Sequence, residues 1–142
     1  GLIGRTVVNG GVPADTTDDG LARLQPLLDE VRPALVILCL GGNDMLRHVD
    51  EARTTANLRA MVAMIKASGA DVILVALPSP GLILSTASFY KGIARDDQVP
   101  CECDALSDIL SSPGLKSDQV HPNAAGYQKL AAAIANVIDS HP

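Results

Sequence analysis

The sequence predicts a single α/β domain, residues 1–142, built as a three-layer α/β/α sandwich around a parallel sheet. Continuous apolar runs at residues 35–40 and 71–77 are typical of strands that are covered on both faces. Segments with helical spacing of apolar residues alternate with these runs, which is the pattern of helices packed on both sides of a sheet. With 47% hydrophobic residues, the chain is long enough to bury a real core.

The first half of the chain is predicted to hold two strands and two helices. Arg5–Asn9 is short and β-branched and ends at two glycines, so it is predicted to be a strand that enters a loop. Residues 21–31 have helical spacing, and Pro26 either kinks this helix or starts a new one. After the strand at residues 35–40, a helix follows Asp50 and closes at Ser68–Gly69. Its apolar face comprises Leu58, Met61, Val62 and Ile65.

The second half continues the alternation. The strand at residues 71–77 is broken by Pro78 and Pro80, and residues 81–97 begin as an apolar loop and end as a helix. Residues 99–103 are predicted to be a short strand and residues 105–111 a short helix. Asn123 is a good N-cap for the last helix. The apolar face of that helix comprises Tyr127, Leu130, Ile134 and Val137.

Charge and hydropathy exclude several function classes. The formal net charge is −5, with lysines and arginines scattered singly, so there is no basic stripe for nucleic acid or anionic lipid. No apolar run approaches the roughly 20 residues of a membrane span, and the chain does not start with a signal peptide. The compartment is left open.

The three cysteines do not form a metal-binding or redox motif. Cys39 lies in an apolar strand and is predicted to be a small buried hydrophobic residue. Cys101 and Cys103 are one residue apart, without the two-residue spacer of common zinc and redox pairs. We therefore interpret them as two side chains on one face of a short strand. No metal ligands and no cofactor are predicted.

Gly41-Gly42-Asn43-Asp44 follows the strand at residues 35–40 and is the first candidate site. In open α/β sheets, ligands bind at the carboxyl ends of the strands. The glycines allow a tight turn and close approach of a ligand, and Asn43 offers a neutral amide donor. Asp44 offers an acceptor or a helix cap. The same residue types also dominate ordinary turns, so this motif alone leaves both interpretations open.

Asp118 and His121 form the second candidate site. They are three residues apart in a loop before the last helix, a spacing that lets the carboxylate bind imidazole Nδ1 and leaves Nε2 as a general base. A surface helix cap would give the same pattern. His48 and His141 have no such setting, and we interpret both as solvated.

Together these patterns resemble the SGNH, or GDSL, hydrolase family, in particular its single-domain bacterial arylesterase and thioesterase/lysophospholipase branch. Three blocks in the family's order carry the resemblance and span nearly the whole chain. They are Val7-Val8-Asn9 leading to Asp15-Thr16-Thr17 and Gly20–Leu24, then Gly41–Asp44, then Asp118–Asn123. The resemblance implies a flavodoxin-like sheet and a carboxylic ester hydrolase with a Ser-His-Asp triad.

The family's roles transfer to specific residues. The resemblance makes His121 the general base and Asp118 the residue that orients it. It places Asn43, Gly42 and Ala14 at the oxyanion and substrate-binding site, with Asn43 donating its side-chain amide. The family usually has glycine at the position of Ala14, and alanine adopts an unusual φ less readily.

The family's nucleophile has no counterpart. Its serine lies in a Gly-Asp-Ser motif at the end of the first and central strand, and this chain starts at Gly1 without that unit. We therefore expect an N-terminally incomplete domain with unpaired strand edges and an apolar slot, inactive alone. Three explanations for the missing serine remain. The chain is the carboxyl-terminal part of a larger hydrolase, or it is completed by pairing with a second copy or with a complementing N-terminal segment. The third is that it is a serine-less relative.

Two other functions are compatible with parts of this sequence. A serine-less, non-catalytic module that binds acyl groups or esters, or assembles with another protein, is the alternative. A nucleotide-binding flavodoxin-like protein is disfavoured because no glycine-rich loop has dinucleotide or P-loop spacing. For a hydrolase, the substrate is a small-molecule ester. Leu82, Ile83, Leu84 and Phe89 are candidates for an acyl pocket, or they simply cover the sheet. Many members of the family are periplasmic or secreted.

Overall fold

The computed structural model describes residues 3–141 of the chain. The first half contains α1 (Thr17–Val31), β1 (Leu35–Leu38), α2 (Gly42–Leu46), α3 (Glu51–Ala67) and β2 (Asp71–Val75). The second half contains β3 (Pro78–Ser79), β4 (Ser85–Thr86), α4 (Ser88–Asp96), β5 (Cys101–Glu102), α5 (Ala105–Ser111), a 3-10 turn (Pro113–Leu115) and α6 (Ala124–Ser140).

The main sheet is parallel, with the strand order β1-β2-β5. Leu35 of β1 lies opposite Asp71 of β2, and Leu74 of β2 lies opposite Cys101 of β5. The strands β3 and β4 form a separate antiparallel pair that the sequence did not predict. Because the strands of the main sheet run in one direction, their carboxyl ends share one edge, and α2 starts four residues after the last residue of β1.

Helices cover both faces of the sheet, which confirms the three-layer sandwich. The helices α3 and α4 contact β2, and α1 packs on α3. Val72 and Leu74 of β2 belong to the core cluster that these helices build. Alternating side chains on a strand point to opposite faces, so Ile73 and Val75 face the other layer, where α6 contacts β2 and β5 and α5 packs on α6.

The two long helices of the first layer follow the sequence pattern. In α1, Thr16 and Asp19 form a capping box, and the helix continues through Pro26 without a restart. In α3, the Asp50 side chain caps the N-terminus by accepting from the N–H of Ala52. The predicted apolar face of α3 is confirmed, since its four residues are at most 2% exposed: Leu58, Met61, Val62 and Ile65.

Two predicted strands at the beginning of the chain need correction. Residues 5–9 form no strand and are exposed, with Val7 70% and Val8 59% accessible. The strand predicted at 35–40 ends at Leu38, and both Ile37 and Cys39 are exposed. Both corrections have the same physical reason, a missing neighbour in the sheet. Within residues 3–141, β1 pairs only with β2, and residues 5–9 have no pairing partner.

Two further expectations about side chains are wrong. Cys101 and Cys103 are joined by a disulfide, with Cα atoms 5.4 Å apart, within the range that a disulfide spans. In α6, Gly126 is the buried residue, and Tyr127 of the predicted apolar face is 53% exposed. The other three residues of that face, Leu130, Ile134 and Val137, are half-buried, so the prediction is wrong at Tyr127.

Candidate active site

The turn that follows β1 has no room for side chains. Gly41 has φ +117°, in the left-handed region that favours glycine. A Cβ there would collide with the hydroxyl of Tyr90, which donates a 2.7 Å hydrogen bond to the carbonyl oxygen of Leu40. A Cβ at Gly42 would lie 2.9 Å from Cδ2 of Leu77. Both glycines therefore let α2 begin at the end of the strand.

Asn43 reaches from α2 to the loop before α1. Its Nδ2 donates a 3.0 Å hydrogen bond to the backbone carbonyl of Asp15, and its side chain is partly buried. A side-chain amide carries two N–H donors, so this bond fixes the plane of the amide and leaves one N–H available. The sequence predicted that Asn43 is a donor, and the structure adds the residue that orients it.

Asp44 is a buried carboxylate that holds α2 against two other helices. It is 1% exposed. Its Oδ1 accepts a 2.8 Å hydrogen bond from the backbone N–H of Thr17, and its Oδ2 accepts from the hydroxyls of Thr17 at 2.6 Å and Thr54 at 3.2 Å. Thr17 is the first residue of α1, so the negative charge lies at the positive end of a helix dipole. Sequence reasoning missed this role because Thr17 is 27 residues away.

Ala14 lies in the loop that Asn43 contacts and has φ +70°. Its carbonyl accepts a 3.0 Å hydrogen bond from Nη2 of Arg47. Between residues 3 and 141 no acceptor is bonded to its own N–H, which is thus available to a ligand. Next to it, the carboxylate of Asp15 pairs with Nε of Arg23 at 2.7 Å, and Nη1 of Arg23 donates to the carbonyl of Gly10. These bonds fix the loop around Ala14.

Asp118 and His121 form the pair that their spacing predicted. Imidazole Nδ1 lies 3.0 Å and 2.9 Å from the two carboxylate oxygens of Asp118. The backbone N–H groups of Val120 and His121 each donate a 2.8 Å bond to Oδ1. These bonds hold the pKa of Asp118 below its ordinary value, and the bond from the N–H of Val120 contributes most, followed by the bond with the imidazole. The carboxylate therefore stays charged and fixes the ring, while Nε2 has no partner within the described residues.

The loop that carries this pair is fixed by the start of α6. Asn123 caps the helix by accepting from the N–H of Gly126 at 3.0 Å, and its Nδ2 donates to the carbonyl of Gly114 at 2.9 Å. The N–H of Ser117 donates to the carbonyl of His121 at 2.9 Å. The imidazole and the Asp118 carboxylate are 63% and 56% exposed, so both are accessible from solvent.

The structure thus builds two local groups, Asn43 with the Ala14 loop and Asp118 with His121. No hydrogen bond between residues 3 and 141 connects the two groups. No serine hydroxyl of the described chain bonds to the imidazole. Ser117 is the nearest in sequence, and its Oγ lies 3.3 Å from the backbone carbonyls of His121 and Pro122. His48 and His141 are exposed, as predicted.

A cavity of about 320 Å³ lies beside α2. Of the residues predicted to form an acyl pocket, Phe89 lines this cavity, whereas Leu82 and Ile83 are 103% and 85% exposed. The other lining residues are Met45, His48, Val49, Glu51, Thr54, Ser79 and Pro80. The wall is therefore mixed, apolar on the side of α4 and polar at the start of α3.

The described part of the chain contains no group of three or more His, Cys, Asp or Glu side chains that could hold a metal ion. None of the helices within residues 3–141 has the length and hydropathy that crossing a membrane requires.

Solved structures with the same architecture define the class of protein. The esterase EstA of Pseudoalteromonas sp. superposes with a TM-score of 0.80 at 25% identity, covering 93% of this chain and 78% of that chain. A crystal structure of TesA gives a TM-score of 0.82 at 29% identity, covering 95% and 78%. The fold is that of the SGNH, or GDSL, hydrolases.

Comparison of the sequence with known proteins leads to the same family. The chain belongs to the GDSL-like lipase/acylhydrolase family, whose model matches residues 1–129. It is 34% identical over 142 residues to an arylesterase of Vibrio mimicus, covering 96% of this chain and 71% of that protein. It is 35% identical over 130 residues to the esterase TesA of Pseudomonas aeruginosa, covering 87% and 65%.

A third relative is the thioesterase 1/protease 1/lysophospholipase L1 of Escherichia coli K12, with 32% identity over 124 residues, 83% of this chain and 60% of that protein. The chain therefore spans 60% to 71% of the length of these three curated relatives.

Proposed function

We propose that this chain supplies the base and the oxyanion hole of a serine ester hydrolase. The observation that carries the proposal is the Asp118–His121 pair, in which imidazole Nδ1 lies within 3.0 Å of both carboxylate oxygens. A carboxylate on Nδ1 fixes the tautomer that leaves Nε2 able to accept a proton, and it stabilises the imidazolium that forms. A helix cap does not need this arrangement, because Asn123 already caps α6.

The second half of the proposed site is the oxyanion hole. One N–H of the Asn43 amide is fixed on the carbonyl of Asp15, which leaves the other to donate to a substrate oxygen. The backbone N–H of Ala14, in the same loop, would be the second donor. Neutral donors held in place before the reaction stabilise developing negative charge, and losing one typically lowers the rate by about 10² to 10³.

The chemistry would follow acyl transfer in two stages. His121 Nε2 removes the proton of a serine hydroxyl as its oxygen attacks the ester carbonyl carbon, and the carbonyl electron pair moves to oxygen, where Asn43 and Ala14 donate. When the tetrahedral adduct collapses, the imidazolium gives its proton to the departing alcohol. Water, activated by the same imidazole, then releases the acid and restores the serine.

We infer that the nucleophile comes from outside residues 1–142, so the chain alone is inactive. The inference is supported by the imidazole, which no serine of the described residues contacts. It is also supported by the edge of β1, which has no partner within residues 3–141 and where a further strand could pair. A complementing N-terminal segment or a second copy of the chain could supply it. The substrate would be a small-molecule ester, its acyl part in the cavity that Phe89 lines.

A chimera tests the proposal. The segment that precedes the matched region in the Vibrio mimicus arylesterase is fused ahead of Gly1, and the chimera is compared with the unfused chain. We expect the chimera to hydrolyse p-nitrophenyl esters and to be labelled covalently by a fluorophosphonate probe, and the unfused chain to do neither. Intact mass counts the probe groups on each chain, and tandem mass spectrometry of the digested chimera locates the modified serine.

Matched variants make the result specific. The chimera with His121→Ala should lose activity, whereas His141→Ala, which changes an exposed histidine outside both the proposed triad and the cavity beside α2, should retain labelling by the probe. Labelling of the unfused chain would place a nucleophile within residues 1–142 and overturn the inference about its source. A folded chimera that binds an ester by NMR without cleaving it would favour a non-catalytic ester-binding module.

A further inference from the structure

Two adjacent residues of α2 hold two points of the chain just before and at the start of α1. The Asn43 amide donates to the carbonyl of Asp15 at 3.0 Å. The next residue, Asp44, accepts the N–H of Thr17 at 2.8 Å and its hydroxyl at 2.6 Å. Because Asp15 and Thr17 are two residues apart, these bonds fix both the distance and the register between α2 and the loop that contains Ala14.

The Asp44 side of this link is the stronger one. Asp44 is 1% exposed and Thr17 is 0% exposed, so water does not compete for the bonds. Hydrogen bonds to an ionised group are roughly twice as strong as neutral ones. Asn57 donates to the Thr17 hydroxyl at 3.1 Å, which leaves the hydroxyl proton for the carboxylate. Asn43, by contrast, is only partly buried and has a single neutral bond.

We propose that Asp44 is the positioning residue of the oxyanion hole, setting through Thr17 the separation between the Asn43 amide and the Ala14 backbone N–H. This proposal rests on the proposed function, in which those two groups are the donors. Asp44 itself is buried beneath the site and bonds to no reacting atom. Its carboxylate acts by holding α1 and α2 in register, so the two donors converge on one oxygen.

The first test uses the chain itself and needs no activity. In ¹H–¹⁵N NMR spectra, we expect Asp44→Asn and Thr17→Val to shift both the Asn43 side-chain amide pair and the Ala14 backbone N–H. We expect exchange of the Asp15 N–H, which donates to the carbonyl of Val12 in the same loop, to accelerate by about tenfold or more, because the link that holds this loop has been weakened. Thr17→Ser keeps the hydroxyl and the backbone N–H, and should restore both signals.

Thr54→Val is the matched control. It removes the 3.2 Å bond to the same carboxylate but leaves both bonds from Thr17 in place, so the Asn43 and Ala14 signals should stay close to those of the parent chain. If Thr54→Val shifts them as much as Thr17→Val, Asp44 acts only through overall packing and the proposal is wrong. The proposal also fails if Asp44→Asn is folded and leaves both signals unchanged.

A measurement on the unmodified chain covers the case in which the variants do not fold. In native-state hydrogen exchange, the hydrogen-bonded N–H groups of Thr17 and Asp15 should lose protection in one shared opening as urea is added. Separate openings would overturn the proposal. In the active chimera, Thr17→Val should lower kcat by about 10-fold to 100-fold with little change in KM. If the chimera is inactive, the NMR result still decides whether Asp44 positions the two donors.

Discussion

Replacing Ala14 by glycine should stabilise the chain. Ala14 has φ +70°, and a residue with a Cβ in the left-handed region is less stable there by about 1–2 kcal/mol. Glycine removes this strain but makes the unfolded chain more flexible, which costs about 0.5–1 kcal/mol. The side chain of Ala14 is exposed, so its loss leaves no cavity. We therefore expect Ala14→Gly to raise the free energy of unfolding by about 0.5–1 kcal/mol.

Equilibrium unfolding in urea, followed by circular dichroism, measures this change. The matched control is Ala34→Gly, since Ala34 is also exposed and outside helices and strands, and its φ is not positive. Ala34→Gly makes the unfolded chain more flexible without relieving any strain in the folded chain, so it should lower the free energy of unfolding by about 0.5–1 kcal/mol. The two variants should thus differ by about 1–2 kcal/mol, the strain at Ala14.

The reasoning is refuted if Ala14→Gly destabilises the chain as much as Ala34→Gly. That result would mean that the bond from Arg47 to the Ala14 carbonyl and the Asp15–Arg23 pair hold the loop in a geometry that stores no strain at Ala14. In the active chimera, Ala14→Gly keeps the backbone N–H and should therefore retain hydrolysis.

Three further outcomes are expected. Tyr90→Phe removes the buried donor to the Leu40 carbonyl and should lower the free energy of unfolding by about 1–3 kcal/mol in urea titrations. Asn43→Ala should lower kcat of the active chimera by about 10² to 10³, and Asn43→Asp by more, because it adds negative charge where negative charge develops. Asp118 has a lowered pKa in the folded chain, so its charged form stabilises the fold above its ordinary pKa of about 3.9. This contribution is lost only as the pH falls through the lower pKa that Asp118 has in the folded chain. A ¹³C NMR titration should give a lower midpoint for the Asp118 carboxyl carbon in the folded chain than in a peptide of residues 116–123.

Each of these has a result that would contradict it. For Tyr90→Phe the control is Tyr127→Phe at an exposed site, and equal effects of the two would exclude the buried bond as the cause. Full activity of Asn43→Ala would remove Asn43 from the oxyanion hole. Equal midpoints in the chain and the peptide would mean that the bonds from Val120 and His121 do not form in solution.

The helices could be predicted from the sequence because their signals are local. The apolar face of α3 repeats at helical spacing, and the caps at Asp50 and Asn123 lie beside the helices they cap. The β-branched residues at 5–9 led to a wrong prediction of a strand. A strand exists only where a neighbour pairs with it, and within residues 3–141 none does.

The Asp118–His121 contact follows the same rule as the helix caps. Both residues lie in one loop, so three-residue spacing was enough to predict the bond between them. Local spacing could not predict three other features of the site. They are the bond that orients Asn43 on Asp15, the burial of Asp44 against Thr17, and the bond from the Tyr90 hydroxyl to the carbonyl of Leu40. Their partners are 28, 27 and 50 residues apart in the chain, and no local pattern marks such pairs.

The sequence by itself determined the α/β class, the order of the helices α1, α3, α4, α5 and α6, and the two candidate groups, because periodicity, caps and short spacings act over a few residues. The tertiary structure decided which strands pair, that α2 forms, that one edge of β1 has no partner within residues 3–141, and how a buried carboxylate at Asp44 joins α1, α2 and α3. The difference is physical, since pairing and burial depend on groups that meet only after the chain has folded.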